Sequence, residues 1–196
     1  MTAPAMTRAA FLVRSAATAS GIYLLGPARA LAHAKHGAFG GGDIGIVNFA
    51  LTLEKIEAEF YKQALATPGL GADAKKLLQE IARHEDEHAK ALNQSVTQLG
   101  GKADPAPQTS FPAPANEQEA IKAAIELEDV GVSAYNGAAT QIQSADVLQA
   151  VASIAQVEAR HAAALRELAG QDATVAPFDT VLSGEQADEA VHELTS

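Results

Sequence analysis

The residues of this chain that are best suited to chemistry are glutamates and histidines that recur at a fixed spacing. The pattern Glu-x-x-His occurs at Glu85 and His88 and again at Glu158 and His161. The twelve-residue segments that contain them, 81–92 and 154–165, are identical at seven positions. This repeat indicates that the same arrangement is built twice, once in each half of the chain.

Each repeat also has a matching glutamate and tyrosine upstream. Glu54 is followed seven residues later by Tyr61, and Glu128 is followed seven residues later by Tyr135. Each half of the chain therefore combines one segment that carries a single Glu with a second segment that carries Glu-x-x-His.

These Glu and His side chains fall within apolar stripes if the segments are helical, because residues three, four and seven apart share one helix face. Glu54 continues the line of Leu51 and Ala58, and Glu85 continues that of Ile81. Four carboxylates would then point into one core, where each would cost on the order of several kcal/mol if it stayed unpaired, or would be protonated. Two divalent cations would balance the four carboxylates. Oxygen and imidazole ligands suit iron or manganese, with zinc or copper as adventitious occupants.

The composition favours an all-α protein that does not bind nucleic acid. Of 196 residues, 47% are hydrophobic but only 5% are aromatic, which is typical of closely packed helices. The net charge of -10 would repel phosphate backbones, and no Lys/Arg stripe overrides it. Because the chain has no cysteine, its chemistry must rest on carboxylate, imidazole, hydroxyl or phenol groups.

Four long helices and a short helix in the tail are predicted. Their bounds are about 43–67, 72–99, 116–140 and 144–169, with the tail helix near 185–193. Asp43 is expected to cap the first helix, and Asn116 with Glu119 is expected to form a capping box at the third. The connection between the second and third helices can extend to about 56 Å at ~3.3 Å per residue, whereas each helix is roughly 38 Å long. That connection can therefore cross the whole bundle.

This pattern resembles the ferritin-like four-helix bundle, in which single Glu residues and Glu-x-x-His pairs hold two metal ions. The first helix is similar to the ferritin-like domain of the desiccation-related proteins through residues 48–51, 53–54 and 57–61. The resemblance covers about residues 43–170 and implies an antiparallel bundle with one long crossover between the second and third helices. It also implies a centre of two iron or two manganese ions.

The resemblance further implies a role for each candidate residue. Glu85 and Glu158 would bridge the metals, while Glu54 and Glu128 would be terminal ligands. His88 and His161 would each hold one metal. Tyr61 and Tyr135 would lie just outside the ligands as candidate catalytic residues, with simple core packing as the alternative.

The first 32 residues have the features of an export signal. Arg8 and Arg14 precede a weakly apolar run at 16–26, and small-x-small cleavage sequences follow it. Residues 7–12 resemble a twin-arginine signal in which Ala9 replaces the second arginine, so both this route and the general secretory route stay open. A retained helix or membrane anchor is the alternative, although the run is short for a span of ~20 residues. We predict an exported protein, periplasmic or extracellular, with no transmembrane span in its mature form.

The predicted organisation has four parts. They are an export signal at 1–32, a flexible Gly-rich linker at 33–42, the bundle at 43–170 and a peripheral tail at 171–196.

Several other charged residues receive a simpler interpretation. Those interpreted as surface charges are Glu57, Glu59, Glu80, Glu87 and His84. For Glu57, one turn from Glu54, the alternative is an extra ligand or a neighbour of the ligands, and Gly131 at the corresponding repeat position argues against it. The tail pair Glu189 and His192 also matches Glu-x-x-His, but it lacks an apolar stripe and is interpreted as solvated. His33 and His36 are interpreted as part of a solvated linker.

Three functions follow from these observations. The first is an oxidoreductase in which two metal ions react with O2 or H2O2 as ferroxidase, peroxidase or catalase. The second is metal binding or storage without turnover, for which a mineral cage would require assembly of many subunits. The third is a stress-related structural protein in which the metals hold the bundle together. A homo-oligomer is compatible with each of them.

Overall fold

The computed structural model describes residues 39–195, and its regular secondary structure is helical throughout that range. The helices are α1 (Gly42–Ala64), α2 (Ala72–Gln98), α3 (Glu117–Ala139), α4 (Ala145–Leu168) and α5 (Gly184–Leu194). The predicted all-α fold, with four long helices and a short C-terminal helix, is confirmed. The proposed export signal, the alternative anchor, and His33 and His36 lie outside the described residues.

The four long helices form two antiparallel pairs, α1 with α2 and α3 with α4. The crossover from α2 to α3 runs along α1. Near its start, Asn48 donates to the carbonyl of Lys102 (3.2 Å) and accepts from the amide of Asp104 (2.9 Å). Near its end, Phe111 packs edge-on against Phe60 at 5.2 Å between ring centroids. The crossover therefore returns the chain to the other end of the bundle, and α2 and α3 run in the same direction.

The apolar stripes of the four helices meet in the core as their spacing predicts. Leu51, Ile81, Ile125 and Leu165 are all buried, one from each long helix. Burial of these stripes is the main source of helix stability, because most helical stability in proteins comes from the packing of an amphipathic face.

The helix starts agree only in part with the prediction. Asn116 does cap α3, accepting from the Glu119 amide at 3.0 Å, and Glu119 in turn accepts from the Ala115 amide. The prediction that Asp43 caps α1 is wrong, since Gly41 occupies that position. The Asp43 carboxylate instead accepts from the amides of Gln143 and Ser144, both at 2.8 Å. It thereby ties the start of α1 to the start of α4.

The C-terminal segment packs against the bundle, so the prediction of a peripheral tail is wrong. In α5, Ala187 and Val191 are buried in the same core cluster as residues of the long helices. The Leu182 amide donates to the Ser133 carbonyl at 3.0 Å. Gly137 lets α3 and this segment approach closely, because a Cβ at Gly137 would collide with the Leu182 carbonyl. The segment covers a face of α3 that the long helices leave open.

The folded part also extends into the segment predicted as a flexible linker. Phe39 is buried and packs edge-on against Phe49, with ring centroids 5.0 Å apart. Ile46 and Ala138 complete this small cluster. None of the helices within residues 39–195 is sufficiently long and apolar to span a membrane.

Candidate metal centre

Six side chains from the four long helices meet in the middle of the bundle. They are Glu54 from α1, Glu85 and His88 from α2, Glu128 from α3, and Glu158 and His161 from α4. The four carboxylates are completely buried, and the His88 and His161 side chains are 13% and 6% exposed. The structure thus brings together every Glu and His of the repeated pattern.

These side chains form two overlapping groups of four. The groups are Glu54, Glu85, His88 and Glu158, and Glu85, Glu128, Glu158 and His161. Within each group, one ligand atom from every residue lies within 4.8 Å of the others. Glu85 and Glu158 belong to both groups, so their carboxylates lie where they can contact two ions. Their bridging role stays a prediction.

Each imidazole directs its Nδ1 atom at three carboxylates. For His88, Nδ1 lies 3.2 Å from Glu54, 3.2 Å from Glu85 and 3.0 Å from Glu158. For His161, Nδ1 lies 3.1 Å from Glu85, 3.4 Å from Glu128 and 3.4 Å from Glu158. An imidazole Nδ1 carries one proton at most, so it cannot satisfy three carboxylates at once.

The resulting shortage of hydrogen-bond donors shows that the residues fit a metal site. Both oxygens of Glu158, one oxygen each of Glu85 and Glu128, and Nδ1 of His161 are buried without a hydrogen bond of acceptable geometry. Buried polar atoms are rarely left in this state. These atoms lie close to one another but form no hydrogen bonds among themselves. Carboxylate oxygens and imidazole nitrogens converging in this way suit first-row divalent cations.

The two tyrosines connect the helices that carry the single glutamates. The Tyr61 hydroxyl on α1 donates to Glu128 on α3, and the Tyr135 hydroxyl on α3 donates to Glu54 on α1. Each tyrosine therefore holds the glutamate of the other half of the repeat. Both rings are buried, which fixes the direction of the hydroxyl.

When no metal is bound, the electrostatics of the cluster favour protons on Glu54, Glu128 and the two imidazoles. Burial, followed by the charge of Glu158, raises the pKa of Glu54 and of Glu128 well above the usual value. Burial opposes the charged form of His88 and His161, but contacts with the surrounding carboxylates outweigh it and raise the pKa of each imidazole to about 12. The protons would leave as metal ions enter, which couples metal affinity to pH.

Glu57 is not the surface charge that the sequence indicated. It is 1% exposed, and neither carboxylate oxygen has a hydrogen-bond partner. Gly131 on α3 faces it, and a Cβ at that position would lie 2.8 Å from Glu57 Oε1. The sequence does place a second Glu one turn after Glu54 and a glycine at the corresponding repeat position. Only the packing of α1 on α3 shows that this Glu is buried against that glycine.

His84 also differs from the prediction, because it contacts the cluster. Its Nδ1 lies 2.9 Å from Nε2 of His161, and the two rings stack with an interplanar angle of 10°. On its other side, Nε2 lies 2.9 Å from the Arg83 guanidinium. His84 is partly exposed, so it connects a buried imidazole to the surface. Glu59, Glu80 and Glu87 lie at least partly exposed, as predicted.

The tail pair Glu189 and His192 takes no part in this cluster. Among residues 39–195, the groups able to hold a metal include neither of them. The same spacing thus occurs in two settings, and only the core setting brings partner glutamates within reach.

Comparison with known proteins agrees with this architecture. A family model described as a ferritin-like domain matches residues 42–171. The crystal structure of a conserved hypothetical protein, rv2844, from Mycobacterium tuberculosis aligns with a TM-score of 0.58 and 16% identity, covering 64% of this chain and 96% of that one. At that identity the similarity concerns the fold alone. No curated protein matches the sequence significantly. The helical arrangement and the matched family model together show that the chain belongs to the ferritin-like domain family.

Proposed function

We propose that the chain binds two iron or two manganese ions at this cluster and serves in redox chemistry with O2 or peroxide. The observation that carries the proposal is the pair of ligand groups that share Glu85 and Glu158. One group alone would hold a single ion, whereas two groups with common carboxylates suit a dinuclear centre. The ligand set matches the one described for ferritin-like carboxylate proteins.

The residues divide naturally between the two ions. Glu85 and Glu158 would contact both, Glu54 with His88 would complete one site, and Glu128 with His161 would complete the other. Four carboxylates and two neutral imidazoles carry a charge of about -4, which balances two divalent ions. Burial removes competing water, so uncompensated charge at this position would be costly.

The surroundings favour small reactants. When bound, a pair of iron or manganese ions supplies electron transfer to O2 or peroxide. The carboxylates are completely buried, which excludes bulky organic substrates from direct contact with them. Tyr61 and Tyr135 hold Glu128 and Glu54 in position, and their hydroxyls are the neutral donors adjacent to the ligands. We assign them a positioning role.

A structural function is the second candidate, because the ligands come from all four long helices. A metal pair held in this way would cross-link the bundle and increase its stability without turnover. The resemblance to desiccation-related proteins favours such a role under stress. Storage of metal is a variant of this candidate, and it would require a multi-subunit cage.

We also propose that the protein acts outside the cytoplasm. The proposal rests on the basic and apolar pattern of residues 1–32 and its small-x-small sequences. N-terminal sequencing of protein recovered from a periplasmic or secreted fraction would test it. A mature terminus shortly after residue 30 or 32 is expected, and an intact Met1 on cytoplasmic protein would overturn it.

The first experiment is elemental mass spectrometry of untagged protein purified from a medium with both iron and manganese. About two metal ions per chain are expected, and none after anaerobic reconstitution would refute the dinuclear centre. Consumption of O2 or H2O2 by the loaded protein then separates an oxidoreductase from a structural or storage protein. The mass in solution separates a small oligomer from a cage.

A further inference from the structure

The least explained group in the core is the carboxylate of Glu57. It lies on α1, one helical turn after Glu54, and is as deeply buried as the ligands themselves. Neither of its oxygens has a hydrogen-bond partner, and no ion pair joins it to a Lys, Arg or His within residues 39–195. Buried carboxylates without compensation are rare, so this one requires a partner that the polypeptide does not supply.

The charges that act most strongly on Glu57 are other carboxylates. After burial itself, the largest influence on its pKa is Glu54, followed by Glu158, Glu85 and Glu128, and all of them raise it. Glu57 therefore lies within the electrostatic reach of the whole cluster. No residue of the pairs described above offers it a positive charge, so a proton compensates it in the metal-free protein and the proposed metal ions would do so in the loaded protein.

The facing helix has room for this carboxylate at one position. Gly131 on α3 is the repeat counterpart of Glu57, since Glu54 and Glu128 correspond and both positions follow by three. A side chain at Gly131 would come within 2.8 Å of Glu57 Oε1. The absence of a side chain on α3 thus makes space for the carboxylate from α1. At this pair of positions the first half supplies the carboxylate of Glu57, and the second half supplies the space beside Gly131 that the carboxylate occupies.

We propose that Glu57 is a fifth carboxylate ligand of the dinuclear centre and that it favours the oxidised metals. This inference rests on the proposed metal pair. Five carboxylates carry a charge of -5, which is larger than the +4 of two divalent ions. One divalent and one trivalent ion would balance it with +5, and two trivalent ions would exceed it with +6. The extra negative charge should therefore lower the reduction potential of the centre. It also makes the two halves chemically unequal although their other ligands match.

The test compares Glu57→Gln with Glu59→Gln, a matched change on the same helix at a half-exposed residue. Anaerobic titration with Fe(II) measures the affinity for each metal equivalent, and a mediated redox titration of the iron-loaded protein measures the midpoint potential. In Glu57→Gln we expect roughly 10- to 100-fold weaker binding of one equivalent and a more positive midpoint potential. Glu59→Gln should match the wild type in both measurements.

Gly131→Ala provides a second and independent variant. It keeps Glu57, and alanine is a better helix former than glycine, so the fold is expected to persist. Its Cβ would push the Glu57 carboxylate out of its place, and we expect a change in the affinity of one equivalent in the same direction as in Glu57→Gln. A crystal structure of the Mn(II)-loaded wild type should show a Glu57 oxygen bound to a metal.

The outcomes separate this inference from the proposed function. If the wild type binds two ions while Glu57→Gln and Gly131→Ala both equal the wild type in affinity and potential, Glu57 is not a ligand and the inference is overturned. If the wild type binds no metal under the same conditions, the proposed function itself fails, and this inference fails with it.

Discussion

The two halves of the bundle, α1 with α2 and α3 with α4, carry the same ligand types on corresponding positions but differ in what surrounds them. Each half supplies one single Glu, one Glu-x-x-His pair and one tyrosine that binds the glutamate of the other half. Outside this shared set, Glu57 corresponds to Gly131 and His84 corresponds to Val157. Both of the additional polar groups belong to the first half.

This difference indicates that the repeated Glu and His residues must match between the halves, whereas the residues around them need not match. A metal pair would need matching ligands from both halves, and both halves supply the same Glu and His residues. The first half alone adds a buried carboxylate, Glu57, and an imidazole, His84, that contacts His161. The cluster is symmetric in its six repeated Glu and His side chains and asymmetric in the polar groups around them.

The largest effect is expected from the two carboxylates that both ligand groups share. Glu85→Ala and Glu158→Ala should each abolish at least one metal equivalent, because either change removes an atom from both groups. Elemental mass spectrometry of the purified variants measures the loss. Glu189→Ala is the control, since it changes the same motif in the tail, and its metal content should stay intact.

Unchanged metal content in both core variants would show that the assigned site is wrong. Loss in one variant alone would show that the two halves contribute unequally even at the shared ligands.

Removing the metal should lower stability, and this loss should increase with pH. Glu54, Glu57 and Glu128 have folded-state pKa values raised above 4.5, so their protonated forms stabilise the metal-free fold most below pH 4.5. The pKa of His88 and His161 is raised from 6.5 to about 12, so their contribution is complete below pH 6.5 and is lost as the pH rises towards 12. The glutamates and the histidines therefore both lower the free energy of unfolding of the metal-free protein as the pH rises.

The metal-free protein should therefore show a falling melting temperature between about pH 5 and about pH 9, whereas the loaded protein should change less. At free metal of about 100 times Kd, binding adds about 2.7 kcal/mol to the free energy of unfolding. Thermal denaturation with and without Mn(II) measures the difference. A metal-free form that becomes more stable with rising pH in this range would contradict the electrostatic account.

Replacing each of the two tyrosines tests whether the two halves of the bundle are equivalent, and the expected change in stability is smaller. Tyr61→Phe and Tyr135→Phe each remove the donor to one buried glutamate, which should lower the free energy of unfolding by about 1–3 kcal/mol. Urea denaturation of the metal-free variants measures the two losses. Similar values would support equivalent halves, and a loss in only one variant would restrict the positioning role to that tyrosine.

The smallest effect is expected when His84 is replaced by the residue found at the corresponding position of the other half. His84→Val should weaken the binding of one metal equivalent about tenfold, because it removes the contact that orients the His161 ring. Metal titration of each equivalent measures the change. Val157→Ala is the control and should leave both equivalents as in the wild type, and equal affinities in His84→Val and the wild type would exclude a positioning role for His84.

Much of the fold was predictable because helix periodicity is a local property. The spacing of Glu54, Glu85 and Leu51 within apolar stripes identifies a buried face without knowledge of the partner helix. The length of the connection between the second and third helices likewise predicted a crossover, and the structure shows that it runs along α1. The cap at Asn116 followed from a short sequence signature, and the structure contains that contact.

Other features depended on contacts between segments distant in the sequence. Asp43 has the residue type of a cap for its own helix, but the nearby start of α4 offered free amides to its carboxylate. Phe39 and Val191 lie in segments that look like a linker and an acidic tail, and they are buried because the bundle leaves apolar surface for them.

By itself, the sequence determined the helices, the repeated ligands and the face on which each ligand lies, since these follow from spacing along one helix. Only the tertiary structure decided that Glu57 is buried and that His84 contacts His161. A side chain beside the main stripe is exposed or buried according to the helix packed against it, and here that depends on Gly131 on α3 and His161 on α4. Residue spacing carries no information about such a neighbour, because the neighbour is far away in the chain.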